Sequence, residues 1–257
     1  MTLVEAALIL LAGAAAGMIN AAVGSGSLIT FPTLLAFGFP PVLANISNNV
    51  GLIPGGVASV WGYRRELADQ RRRLLVMGSM SALGGLTGAL LLLSLPSTSF
   101  RFVVPVLLAI AVVMVIVQPL IQRRLSRDRV AAPATRDAGS RPAAMAATAL
   151  VGVYGGYFGG AQGVLLIGAL GTLMDETLQR LNALKNGLVT CVNTVAAVAF
   201  LVVAPDQVDW RVVGLIAGGS TLGALLGAKV GRKLPQPVLR GAIVVVGVIA
   251  IVSLLRG

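Results

Sequence analysis

The 257-residue chain has no histidine, one cysteine, nine acidic residues and few aromatics, 5% in all. Without His there is no Ser-His-Asp triad, no HExxH zinc site and no imidazole proton relay. The lone thiol, Cys191, cannot close a disulfide within the chain. Charged residues supply 11% of the sequence, against about 25% in soluble domains. These shortages exclude a disulfide scaffold, a disordered chain and an ordinary soluble enzyme. What is plentiful is apolar: 56% of the residues are hydrophobic and 32 are Gly. That composition fits a polytopic membrane protein whose helices approach closely through glycine. Twenty basic residues give a net charge of +11, and their distribution decides whether this is a nucleic-acid patch or a topology signal.

A membrane-spanning helix needs about 20 mostly apolar residues. Eight stretches qualify: 3–23, 44–63, 74–95, 102–121, 143–160, 183–204, 212–231 and 238–255. Two more, 26–39 and 163–174, are too short for a hydrocarbon layer of about 30 Å. Each of the short stretches follows a Gly-rich break. The N-terminal residues lack the basic start and the cleavage site of a signal peptide, so they read as a first span. Residues 122–142, rich in Arg, Asp, Ala and Pro, read as a soluble linker. This divides the chain into a first repeat at 1–121, the linker at 122–142 and a second repeat at 143–257.

The halves resemble each other. At an offset of 137, Asn45 and Asn49 meet Asn182 and Asn186, and Gly26 meets Gly163. At 139, Gly84 and Gly88 meet Gly223 and Gly227, Leu95-Pro96 meets Leu234-Pro235, and Arg101 meets Arg240. Basic residues concentrate in cytoplasmic loops. Arg64, Arg65 and Arg71–Arg73 follow the second long span, six Arg fill 122–142, and Lys229, Arg232, Lys233 and Arg240 flank the last turn. The loop at 205–209, equivalent to the first group, has no Lys or Arg. Equivalent loops then lie on opposite faces, which requires an odd number of crossings per half. Five per half, with each short stretch counted, leaves sixteen of the twenty basic residues inside, three outside and Lys185 within a span. The basic excess is therefore a topology signal, and nucleic acid is excluded as a partner. The expected fold is an all-α polytopic membrane protein of two inverted repeats. Each repeat has four long transmembrane helices and one short half-helix after a Gly-rich break, and both termini are periplasmic.

Inverted repeats with interrupted helices are the architecture of secondary transporters, with the substrate near the midplane. A short helix starting inside the bilayer presents N–H groups and a positive dipole end, an arrangement suited to an anion. The expected site is therefore built from Gly24, Ser25, Gly26 and Ser27 at one break, and Gly160, Gln162 and Gly163 at the other. Nearby polar residues of the spans are Asn20, Asn45, Asn49, Asn186 and Asn193, with Asn48 and Thr190 beside them. With Glu5, Lys229 and Arg240 assigned to span ends, Lys185 is read as the one ionised residue within a span, and such residues are functional by default. Every Asp and Glu sits in a loop or, like Glu5, at the end of a span, which argues against a carboxylate proton relay or cation path. No cofactor and no metal are expected.

The segment 17–32 (GMINAAVGSGSLITFP) resembles the first signature of the sulfite exporter TauE/SafE family, as do Ala44-Asn45 with Asn49 and the run Tyr63–Glu66. Residues 154–159 (YGGYFG) and 182–186 (NALKN) resemble the second-half signature. Gln162 departs from that pattern, which more often has Gly there. The resemblance implies a bacterial inner-membrane permease for sulfur-containing anions such as sulfite, sulfoacetate and related organosulfonates. Its partners would be that anion and the lipid bilayer; a homodimer is left open. An anion channel with the same site, and a permease for another small oxyanion, are the alternatives the residues leave standing.

Overall fold

The computed structural model describes residues 1–131, 141–230 and 236–256. Among them every regular element is helical. The first half contains α1 (Leu3–Ala22), the short α2 (Ser27–Ala36), α3 (Pro41–Gly62), a one-turn α4 (Arg64–Leu67), α5 (Arg71–Ser94) and α6 (Ser97–Ala131). The second contains α7 (Arg141–Tyr157), the short α8 (Gln162–Leu173), α9 (Leu178–Val203), α10 (Trp210–Val230) and α11 (Gln236–Arg256).

Local chemistry sets the helix ends. Thr2 and Glu5 form a capping box on α1, with Glu5 N–H donating to Thr2 Oγ1 (3.2 Å) and Thr2 N–H to Glu5 Oε2 (2.8 Å). Thr177 caps α9 and Asp209 caps α10 through backbone N–H groups. Five helical segments are long and apolar enough to cross a membrane: Leu3–Ala22, Arg64–Ser94, Phe102–Leu120, Leu178–Val203 and Trp210–Ala228. α3 has 22 residues, but Asn45, Ser47, Asn48 and Asn49 dilute its hydropathy. α2 and α8, with 10 and 12 residues, reach only about 15–18 Å at about 1.5 Å per residue.

One boundary differs from expectation. The apolar stretch at 102–121 is the middle of a 35-residue helix, and residues 122–131, read above as linker, continue it. Charged residues outside the apolar stretch do not break a helix that lacks Gly or Pro there. Residues 132–140 and 231–235, with Arg136, Arg232, Lys233 and Leu234-Pro235, lie outside the described residues.

Packing between the halves is reciprocal. α1 lies on α10 and α7 on α5; α3 lies on α10 and α9 on α5; α3 faces α9 and α6 faces α11; α2 touches α11 and α8 touches α6. The closest seams are made of small residues. A Cβ on Gly223 of α10 would lie 1.8 Å from the Ala14 carbonyl oxygen of α1, and one on Gly88 of α5 would lie 2.0 Å from that of Val153 in α7. The Gly84/Gly88 and Gly223/Gly227 pairs, matched in the repeat, therefore set backbone-to-backbone contact.

The two ends of α3 are held differently. Beyond its C-terminus, the segment leading to α5 is clasped to the α8–α9 loop. Arg73 pairs with Glu176, Arg180 Nε is 2.7 Å from Glu176 Oε2, and Gln179 Nε2 donates to Glu66 Oε1 (2.6 Å). Buried Gln70 donates to the Glu66 and Arg180 carbonyls at 2.8 and 3.2 Å. Near the N-terminus of α3, the tie to the α9–α10 loop among the described residues is one bond, from Asp209 N–H to Ser47 Oγ (2.9 Å).

The seams predict a contrast between glycines. Gly223→Val should destabilise the protein by about 1–3 kcal/mol. Gly214→Ala, where an added Cβ meets nothing within 4 Å, should hold or raise the melting temperature, because Ala favours helix. Thermal unfolding of purified protein in detergent checks both; an equal response at the two positions would contradict close seam packing.

Candidate functional site

The candidate site is where the two helix breaks meet. α1 ends at Ala22 and α7 at Tyr157, and each chain then turns through a left-handed glycine, Gly24 (φ +93°) and Gly159 (φ +77°). In both halves the turn is closed the same way. Val23 and Gly24 N–H groups donate to the Ile19 carbonyl at 2.6 and 3.0 Å; Phe158 and Gly159 donate to that of Tyr154 at 2.9 and 3.2 Å. This is the glycine-terminated cap common at helix C-termini. The breaks therefore match at an offset of 135, not 137. The counterpart of Gly26 is Ala161 (φ +58°), and Gly163 sits inside the first turn of α8. The two extra residues of α8 restore the 137 offset by the Asn pairs.

The breaks are tied to each other. Gly163 N–H donates to the Gly24 carbonyl (3.1 Å), and Ser27 Oγ donates to the Gly159 carbonyl (3.1 Å). Gly24 and Gly163 come so close that a Cβ on either would lie 2.6–2.7 Å from the other's Cα. Helix C-termini leave carbonyls unpaired, and side chains of the opposite half take them up. Asn45 Nδ2 donates to the Tyr157 carbonyl (3.0 Å); Asn182 and Asn186 donate to that of Ala21 (2.9 and 3.4 Å). Lys185 Nζ donates to the Asn20 carbonyl (2.8 Å), while Asn20 Oδ1 accepts from Gly26 N–H (2.7 Å).

Lys185 is 1% exposed and takes part in none of the ion pairs of the described residues. Its stem passes the breaks, with Cδ within about 3 Å of where a Cβ would stand on Gly24 or Gly163. The charge is held by a backbone carbonyl and by the negative end of the α1 dipole, with no carboxylate to neutralise it.

Beside the breaks lies a small cleft lined by Asn20, Gly24, Ser27, Asn48, Asn49, Leu52, Phe158, Gly159, Gln162, Gly163, Val189 and Asn193. It has about 20 Å³ of room, enough for about one water. Seven of the expected site residues line it: Asn20, Gly24, Ser27, Asn49, Gln162, Gly163 and Asn193. Six do not: Ser25, Gly26, Asn45, Gly160, Lys185 and Asn186. Gly26 packs on α1, where a Cβ would lie 2.1 Å from the Ala16 carbonyl oxygen. Gly160 accepts at its carbonyl from Tyr154 Oη (2.5 Å). Phe158, Leu52 and Val189 form an apolar wall that polar-residue reasoning missed; Phe158 stacks edge-on with Phe31 at 5.3 Å between ring centroids.

The N–H groups expected to meet an anion are in large part used locally. Gly26 N–H is bound by Asn20, Gly163 N–H by Gly24, and Leu28, Ile29, Val164 and Leu165 by carbonyls three or four residues back. What is left for a ligand is side-chain chemistry. Gln162 has both amide atoms buried without a partner, and the amide oxygens of Asn48 and Asn49 are likewise unpaired. Asn49 Nδ2 reaches Asn193 Oδ1 at 3.4 Å. Gly155 makes room for Gln162, since a Cβ there would strike its amide group at 2.2 Å. Four unpaired buried amide atoms thus line this cleft, while others lie outside it at Gln70, Gln118 and Asn182; atoms of this kind call for a water or a ligand.

Comparison with known proteins agrees with this architecture. The family model described as "Sulfite exporter TauE/SafE" matches residues 9–254. The chain belongs to the TauE/SafE family. It is 27% identical over 244 residues to the "Probable membrane transporter protein YfcA" of Escherichia coli, covering 93% of this chain and 86% of the relative. It is 26% identical over 237 residues to a "Probable membrane transporter protein" of Haemophilus influenzae, covering 91% and 89%. It is 28% identical over 241 residues to "Probable membrane transporter protein ORF9" of a Sinorhizobium species, covering 93% and 85%. No solved structure matches. The chain is a multi-pass membrane transporter, not an enzyme.

Asn45→Leu, and Asn182→Leu combined with Asn186→Leu, should each orphan a helix-end carbonyl, that of Tyr157 or of Ala21. Each should cost about 1–3 kcal/mol and lower the melting temperature by similar amounts. Thermal unfolding checks this; an unchanged melting point in either variant would show that its carbonyl is satisfied some other way.

Proposed function

We propose that this transporter carries a small sulfur-containing oxyanion, of the size of sulfite or a short organosulfonate such as sulfoacetate, by alternating access around the cleft. The observation that carries the reading is Lys185, a cation buried at the meeting point of two helix breaks with no acidic partner among the described residues. A buried unpaired charge is costly, and an anion entering the cleft would supply the missing counter-charge. The N-terminal ends of α2 and α8 both abut the cleft, so their dipoles favour negative charge there. The cleft's Asn, Gln and Ser groups would orient the oxygens. Lys185 acts through its field and through Asn20, since its ammonium stands behind the glycines. The family description, sulfite exporter, supports this substrate class and an export direction.

Alternating access follows from size and symmetry. A cleft of about 20 Å³ is too small for an oxyanion until its walls separate. Reciprocal packing of two five-span halves, together with the one-sided Arg loops, supports halves inverted in the membrane, with both termini periplasmic and 122–142 cytoplasmic. In that topology the Arg73–Glu176–Arg180 clasp bars the cytoplasmic side. The weaker tie at Ser47 bars the periplasmic side.

In proteoliposomes, sulfite flux should saturate and be stimulated by sulfite on the far side; single-channel currents would instead assign a channel. Lys185→Met should stay folded, because the bond lost at Asn20 is offset by relief of the buried charge. A unit charge several Å from the anion contributes about 2 kcal/mol at an effective dielectric constant of about 20. Sulfite affinity, read by ligand-dependent thermal shift, should then fall about 30-fold. Wild-type affinity in folded Lys185→Met protein would remove Lys185 from the mechanism.

Topology has its own test. A C-terminal alkaline phosphatase fusion should be active and the matching GFP fusion dark. Bright GFP would overturn the ten-crossing arrangement.

A further inference from the structure

A second, larger cavity lies away from the breaks. It opens between the C-terminal end of α3 and the corresponding end of α10, with a volume of about 340 Å³, and its lining includes Trp61, Arg64, Arg65, Glu66, Leu225 and Ala228. We propose that it binds the phosphodiester headgroup of an anionic glycerophospholipid, with an acyl chain running down the α3–α10 seam.

The polar rim carries two guanidinium groups. Arg64 lies over the Trp61 ring, 4.4 Å from its centroid, and donates from Nη1 to the Trp61 carbonyl (3.0 Å). Stacking and one bond hold the planar fork in place, and the fork's other N–H groups can meet phosphate oxygens. Arg65 is exposed and makes no hydrogen bond or ion pair among the described residues. Glu66 takes the Gln179 amide (2.6 Å). Two Arg against one Glu leave the rim with one net positive charge, the complement of a singly charged phosphodiester.

The lower part of the cavity is apolar, which separates a lipid from a free phosphate. Leu225 and Ala228 face it from α10. One turn deeper, Val57 on α3 and Leu222 on α10 are 55% and 61% exposed, a track for an acyl chain. Trp61 itself is 57% exposed at the helix end, the position of the aromatic belt at membrane interfaces. Basic pockets between helices at that level suit anionic headgroups.

The test is native mass spectrometry of the full chain in detergent. The probes are diacyl phosphatidylglycerol, phosphatidylcholine with the same acyl chains, and inorganic phosphate. Wild type should retain one phosphatidylglycerol in preference to phosphatidylcholine, and inorganic phosphate should not displace it. Arg64→Gln/Arg65→Gln should weaken retention at least about tenfold, by loss of two charge-assisted contacts. Arg71→Gln/Arg72→Gln removes the same charge from exposed positions outside the cavity and should retain lipid as wild type does. If the first pair does not fold, Arg65→Gln alone should still weaken retention severalfold, because that side chain supports nothing else. Equal retention of phosphatidylcholine, equal loss in the two Arg pairs, or no loss in Arg65→Gln would overturn the proposal. Displacement by inorganic phosphate would reassign the cavity to a free anion and overturn the lipid.

Discussion

Two broken helices bonded to each other organise this protein. An interrupted helix inside a bilayer has carbonyls and N–H groups that water cannot reach, so protein must satisfy them. Here each break answers the other: Gly163 N–H meets the Gly24 carbonyl and Ser27 Oγ meets that of Gly159. Glycine is needed at 24 and 159 because the chain turns there at positive φ, and at 24 and 163 because the backbones nearly touch. The Asn residues and Lys185 cap what the breaks leave over. Asn20 and Ser27 serve the fold and the cleft together, while Asn45, Asn182, Asn186 and Lys185 close helix ends without lining the cleft.

This double duty bears on the alternating access proposed above. Separating the two breaks would expose the Gly24 and Gly159 carbonyls and the Gly163 N–H at once, so these groups would gain from a polar ligand or from water in an opened cleft. The outer seams of α1 with α10 and of α5 with α7 are backbone contacts between small residues, which favours motion of whole packed units over bending within them. Each of those seams joins one half to the other. In the alternating access proposed above, the units that move would therefore be built from both halves, not from either half alone. The multi-residue clasp at one end of α3 and the single bond at the other make the two ends unequal in strength.

Most of the secondary structure was legible because lipid imposes a simple rule. Long apolar runs became long helices, and the two runs too short to span became α2 and α8, each after its Gly-rich break. The Asn45 and Asn182 pair was visible as a repeat and proved to do the same job in each half. The extension of α6 through 122–131 was not legible. Charge and polarity signal departure from the bilayer but do not signal the end of a helix.

The sequence by itself determined the class of protein, the helices, the two breaks and the placing of acidic residues at span ends and in loops, because hydropathy and glycine content are local properties. Tertiary structure alone decided what the polar groups face. That Gly26 packs on Ala16 while Gly163 packs on Gly24, that the breaks match at an offset of 135, and that Asn48 and Phe158 join the cleft depend on contacts between residues more than a hundred apart or on the turn taken after each glycine. The same holds for Lys185. Its type and its place in a span were plain, but its ammonium rests on the Asn20 carbonyl, 165 positions away. A hydrogen-bond partner is chosen by whichever unpaired group the fold brings within reach, and no spacing along the chain records that choice.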